Sequence, residues 1–157
     1  MPRKFTSTEP LQRPDPKTGD MVVSKFINCL MRGGKKSTAQ AVFYRALDLV
    51  GERIRDKEPL EIFRQALENI KPRVEVRSKR VGGATYQVPM EVSRKRQQSL
   101  AIRWLLKSVR SKRGRPMDRR LADELTAAYR GEGEAIKKRE DTHRMAEANK
   151  AFSHYRW

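Results

Sequence analysis

The chain has 157 residues, with 36 Lys or Arg against 19 Asp or Glu, a formal net charge of +17. That length argues for one domain with a modest core, while 35% charged residues exceeds the ordinary share of about 25%. Charge of one sign on this scale destabilises a compact state unless anions relieve it, and the phosphates of a nucleic acid do so in quantity.

No apolar run approaches the ~18 residues of a spanning helix. The opening Met1–Pro10 has no signal-peptide core, and Glu9 and Asp15 argue against a mitochondrial presequence. A single cysteine, Cys29, excludes an internal disulfide and fits a reducing cytosol.

In chain order, Pro2, Pro10, Pro14 and Pro16 predict an extended arm over 1–19, with Arg3 and Lys4 as its candidate anion contacts. Asp20 is a candidate cap for a helix whose apolar side is Val23, Phe26, Ile27 and Leu30, closed by Gly33-Gly34. Residues 21–36 carry four basic groups and no acidic one, making Lys25, Arg32, Lys35 and Lys36 a first basic site. Ser37-Thr38-Ala39-Gln40 has capping-box spacing, and Phe43, Leu47, Val50 and Ile54 follow on one face. Pro59 suits a first helical position, and Leu60, Phe63, Leu67 and Ile70 repeat at helical period until Lys71-Pro72.

The period then becomes two. Val74 and Val76, then Tyr86, Val88, Met90 and Val92, alternate with polar residues around Gly82-Gly83, which predicts a hairpin over about 73–92. A three-residue loop, Val81 to Gly83, pairs Val76 with Val88 and gives one apolar face; it is preferred here to a two-residue turn. Arg77 and Lys79 then share the polar face, with Arg80 beside the tip.

Ser93 is the candidate cap of a helix over about 94–110, with Ile102, Leu105, Leu106 and Val109 inward and Arg96, Arg103, Lys107 and Arg110 along an outward stripe. A basic loop follows, with Lys112, Arg113 and Arg115, and then a helix over about 117–130 that carries Arg119. The last helix, about 134–150, has few apolar residues and is expected on the surface. Residues 70–120 hold sixteen basic and three acidic groups, a net of +13, whereas 121–157 balance to zero. The expected fold is mainly α, a bundle of about six helices with a protruding two-stranded hairpin. It reads as a single RNA-binding domain over 1–157 with a flexible tail at 151–157.

Catalytic readings fare poorly. Gly33-Gly34-Lys35-Lys36-Ser37-Thr38 looks like the end of a phosphate-binding loop, but Cys29 stands where its first glycine belongs, Lys36 follows Lys35, and a helix precedes it. His143 and His154 are the only histidines, no nucleophile–base arrangement is evident, and neither a metal nor another cofactor is expected. Trp104 and Tyr86 read first as core. The ending Ser153-His154-Tyr155-Arg156-Trp157 can stack on unpaired bases and touch phosphate, or dock on the protein's own core. An extended basic ribbon beside a basic helix suits a nucleic-acid groove. An architectural DNA binder or transcription regulator is the competing class. An RNA-processing enzyme is disfavoured by the missing catalytic set.

Three segments then become recognisable. Residues 68–92, the run Arg96-Gln97-Gln98-Ser99-Leu100-Ala101-Ile102-Arg103-Trp104-Leu105, and the stretch from Lys137 through His143-Arg144-Met145-Ala146-Glu147-Ala148-Asn149 to Trp157 resemble the bacterial-type small-subunit ribosomal protein number seven family. The likeness extends from about Asp20 onward. It implies a non-catalytic primary binder of the 3′ major domain of small-subunit rRNA that starts assembly of the subunit head. It further implies a cytoplasmic position near the path of mRNA and exit-site tRNA, beside other small-subunit proteins including the eleventh, with no membrane and no small-molecule substrate.

Carried onto this chain, the resemblance gives rRNA contact to Lys35, Lys36, Arg77, Lys79, Arg94, Arg96 and the 110–119 loop. It gives a tRNA- and mRNA-proximal role to Lys79, Arg80, Gly82 and Gly83 at the hairpin tip and to His154, Tyr155, Arg156 and Trp157 in the tail. The chain departs from the family in its arm, since residues 1–20 net only +1.

Overall fold

Helix α1 (Met21–Leu30) starts where the Asp20 carboxylate accepts the Val22 N–H at 2.7 Å, the cap the sequence predicts. The computed structural model describes residues 9–155, which divide into two compact units with the boundary between Phe43 and Tyr44. Among the described residues there are six α-helices, two short 3-10 helices and one two-stranded sheet, a mainly helical fold as expected. No described helix is long and apolar enough to cross a membrane.

In the first unit, α1 buries Val23, Phe26, Ile27 and Leu30, and the Phe26 and Phe43 rings meet with centroids 5.4 Å apart. Part of the expected extended arm is folded. Glu9–Leu11 forms a 3-10 turn, and the buried Asp15 side chain accepts from Thr18 N at 3.0 Å and Thr18 Oγ1 at 2.9 Å. Prolines spaced through a segment exclude a long α-helix but not a short 3-10 turn or a turn closed by a side chain. Helix α2 (Lys36–Arg53) begins one residue ahead of Ser37, so the capping-box spacing at 37–40 lies inside the helix and caps nothing.

In the second unit, α3 (Pro59–Ile70) has Pro59 in its first turn and turns Ile62, Phe63, Ala66, Leu67 and Ile70 inward. Helix α4 (Arg94–Ser111) adds Leu105, Leu106 and Val109, and α5 (Met117–Tyr129) adds Leu121 and Leu125. These three pack on one another. Asn69 at the end of α3 donates to the carbonyls of Ala128 and Tyr129 at 3.0 and 3.1 Å, satisfying the C-terminus of α5. Helix α6 (Glu134–Ala148) is more than a surface helix. Its buried Ala135, Ile136 and Ala146 pack it against β1 and α4, although its overall hydrophobicity is low.

Strands β1 (Val74–Val81) and β2 (Ala84–Glu91) form the hairpin, with a register that corrects the expectation. Val81 pairs with Ala84 and Val76 with Pro89, so the turn has two residues rather than three. Gly82 and Gly83 have φ of +57° and +88°, the pair of left-handed residues that a primed two-residue turn requires. Arg77 therefore lies opposite Val88, and Lys79 opposite Tyr86, on one mixed face. The ribbon has no single apolar face because most of it is not covered by the helical core: apart from Glu75, Val88 and Pro89, its residues are exposed or half-buried.

Candidate nucleic-acid interface

The base of the hairpin joins α4 through one carboxylate. Glu75 is 8% exposed, and its Oε1 accepts from Arg77 Nε at 2.8 Å and Arg96 Nε at 2.7 Å. Burial alone raises its pKa, but the hydrogen bonds and charges of Arg96 and Arg77 outweigh burial and hold the carboxyl below its ordinary range. Arg94 is exposed in the same first turn of α4, which contains no acidic residue. Further along, Arg103 and Lys107 are exposed and Arg110 half-buried, so the predicted outward stripe is present. Arg94, Arg103 and Lys107 have no ion-pair or hydrogen-bonded side-chain partner among the described residues.

The basic loop between α4 and α5 is not uniformly available. Lys112 Nζ reaches the fully buried Glu124 at 2.6 Å, so this expected contact residue is committed internally. Glu124 also accepts the Ala135 N–H at 2.9 Å, tying the loop to the start of α6. A Cβ on Gly133 would sit 3.0 Å from Glu124 Oε1 in a φ of +97°, so this corner requires glycine. Arg120 donates to the carbonyls of Lys112 and Val109. Among the described residues Arg113 and Arg119 have no ion-pair partner, while Arg115 makes a 3.4 Å contact with Asp123.

The tail lies on the hairpin. The 3-10 helix Lys150–Tyr155 packs on β2, where the sequence predicts a flexible segment. Tyr86 stacks on Tyr155 with centroids 4.9 Å apart and meets Phe152 at 5.3 Å, while Lys79 Nζ donates to the Tyr155 carbonyl at 2.9 Å. Tyr86 is thus half-buried by the tail rather than by the helical core. His154 is exposed beside Tyr155, and at the tip Arg80, Gly82 and Gly83 are exposed. In the first unit, tight turns at Arg32–Lys36 present Arg32, Lys35 and Lys36 to solvent, with Lys25 half-buried on α1. Arg3, Lys4, Arg156 and Trp157 lie outside the described residues.

Among the described residues no cluster of three or more His, Cys, Asp or Glu is placed to hold a metal. The chemistry on display is cationic and hydrogen-bonding. The model of the family described as ribosomal protein S7p/S5e matches residues 2–150. The chain belongs to that family.

Similar proteins agree over nearly full length. A small ribosomal subunit protein uS7 from Rhodopirellula baltica is 60% identical over 155 residues, 98% of this chain and 99% of that one. The protein of the same name from Thermotoga neapolitana is 60% identical over 144 residues, 92% of each chain. That from Desulfotalea psychrophila is 54% identical over 157 residues and the whole of both chains. Membership of the S7p/S5e family is membership of a non-enzyme class, as the sequence predicts. Glu75, Glu124 and the Tyr86–Phe152–Tyr155 cluster escaped sequence reading. Each acts through partners far along the chain, and their only local sign was an acidic residue isolated among basic ones at Glu75.

Proposed function

We propose that this S7p/S5e family member binds the 3′ major domain of small-subunit rRNA as an early assembly protein of the subunit head. In that position it lies in the cytoplasmic small subunit, close to the path of mRNA and exit-site tRNA and beside other small-subunit proteins, including the eleventh. The observation that carries the reading is the cationic surface of α4 and its flanks: Arg94, Arg103, Lys107, Arg113 and Arg119 face no protein anion among the described residues. Such groups are repelled by one another and are relieved by phosphate. The Arg77–Arg96 pair adjoins them at the hairpin base. Lys25, Arg32, Lys35 and Lys36 supply further contacts from the first unit. The exposed tip residues and His154 suit the tRNA and mRNA side.

The test is competition between a 3′ major-domain rRNA fragment and duplex DNA of equal charge across a salt series. With about six to eight phosphates neutralised, log affinity falls with log salt at a slope of roughly −4 to −7. The rRNA wins at every salt concentration because A-form shape and 2′-hydroxyls are read. Equal affinity for the two would leave only a general polyanion binder, the class that includes architectural DNA proteins.

A further inference from the structure

The two arginines at the hairpin base are arranged in a way that charge counting does not explain. Both spend the same group, Nε–H, on the same atom, Glu75 Oε1. Their terminal amino groups have no partner among the described residues, and each side chain remains 45% exposed while the carboxylate is 11% exposed. Arg77 comes from a strand and Arg96 from the first turn of a helix, and the Glu75 carboxylate is the group that bonds to both. A guanidinium held through Nε keeps its outer edge in a fixed plane, the geometry that binds phosphate oxygens in pairs.

We propose that Glu75 is a positioning residue for RNA recognition: it holds Arg77 and Arg96 side by side as one paired seat for backbone phosphate. The inference rests on the RNA-binding function proposed above and names how one part of that surface is built. A buried anion inside a polyanion-binding surface is otherwise a liability, because it repels the ligand. Its burial under two guanidiniums turns that cost into orientation, since each arginine arrives with its side-chain freedom already restricted.

The sign of one substitution separates positioning from charge. Glu75→Gln keeps the shape and removes a negative charge, so simple electrostatics expects tighter RNA binding. Positioning expects the reverse: affinity for the rRNA fragment falls by about tenfold, and the salt slope becomes shallower by roughly one phosphate contact. Glu132→Gln, an exposed neutralisation elsewhere, leaves affinity unchanged or slightly higher. Thermal melting shows whether each variant folds.

Arg96→Lys decides the matter if Glu75→Gln does not fold. A lysine keeps the charge but cannot bond Glu75 and present a planar fork together, so affinity falls several-fold, roughly threefold or more. Folded Glu75→Gln that binds as well as or better than the parent overturns the inference, as does parent-like binding by Arg96→Lys. The double variant Arg77→Ala/Arg96→Ala distinguishes the two levels. If it too binds like the parent, this part of the proposed RNA surface is wrong. If it weakens binding while the single variants do not, only the positioning role falls.

Discussion

Lys79 Nζ donates to the main-chain carbonyl of Tyr155 at 2.9 Å, and the cross-strand partner of Lys79, Tyr86, stacks on the Tyr155 ring. The tail is thereby fastened to the hairpin by a charge-assisted hydrogen bond and by the contacts of Tyr86 with Tyr155 and Phe152. A two-stranded ribbon is marginal on its own, so whatever covers its face contributes to its order.

Stopping the chain after Phe152 removes Tyr155 while keeping Phe152 against Tyr86. Amide protons of β1 and β2 near Lys79 and Tyr86 then exchange faster, because the covering face is lost. Affinity for the rRNA fragment stays within about threefold, equivalent to roughly 0.65 kcal/mol, since residues 121–157 carry no net charge and Lys79 gains freedom as the tail leaves. Hydrogen exchange and a binding titration on the same variant check both halves. Unchanged exchange would mean that the tail contact adds no order to the ribbon.

His143 on α6 links that helix to the start of the hairpin, its Nε2 accepting the Arg73 N–H at 3.0 Å. Burial lowers its pKa below 6.5, and the charges of Arg139 and Arg73 lower it further. The folded state therefore binds the proton less well than the unfolded chain. The stabilising contribution is complete above about pH 6.5 and is lost as the pH falls from there through the folded pKa. Denaturant midpoints at pH 7.5 and 5.5 should show a smaller acid loss for His143→Gln, whose amide oxygen accepts at both. An identical loss in both proteins would assign the acid sensitivity to other groups, with Glu75 acting only lower, below 4.5.

The turn offers a sharper local test. Gly82 and Gly83 both occupy left-handed conformations with no atom close enough to obstruct a Cβ, so any penalty for substitution comes from backbone strain rather than crowding. Gly82→Val costs about 1–2 kcal/mol of local hairpin stability, whereas Gly82→Asn costs much less because asparagine tolerates this region. Exchange at Val81 and Ala84 reads the difference. Equal behaviour of the two variants would exclude strain as the reason for glycine.

What could be read from the sequence follows a physical division. Helices α1 to α5 were visible because their apolar residues recur at helical period, and α1 and α3 because Asp20 and Pro59 mark their starts. The hairpin was visible from its alternation, but not its register. Its pairing is set by the two glycines, and the assumption of one apolar face fails where a ribbon has a mixed face covered by the tail. The outward placement of Arg103 and Lys107 is legible because a helical stripe is a local property. Lys112 was indistinguishable from Arg113 in sequence, since its carboxylate partner lies on the next helix.

Lys112 and Arg113 are neighbours of equal charge, yet one is paired to the fully buried Glu124 and the other faces solvent. Lys112→Met leaves a buried carboxylate without its cation, a change that costs roughly 3–5 kcal/mol in comparable sites. The lower end applies here, because the Ala135 N–H still reaches Glu124. Arg113→Ala leaves the unfolding midpoint nearly unchanged, as expected of an exposed side chain with no ion-pair partner among the described residues. Binding reverses the order. Arg113→Ala lowers the magnitude of the salt slope by about 0.9 if it contacts one phosphate, while folded Lys112→Met keeps the parent slope. Measured together, unfolding midpoints and salt-dependent rRNA titrations place the two residues in opposite corners. A slope that falls equally for both would show that Lys112 leaves Glu124 to meet RNA, and that the buried pair opens on binding.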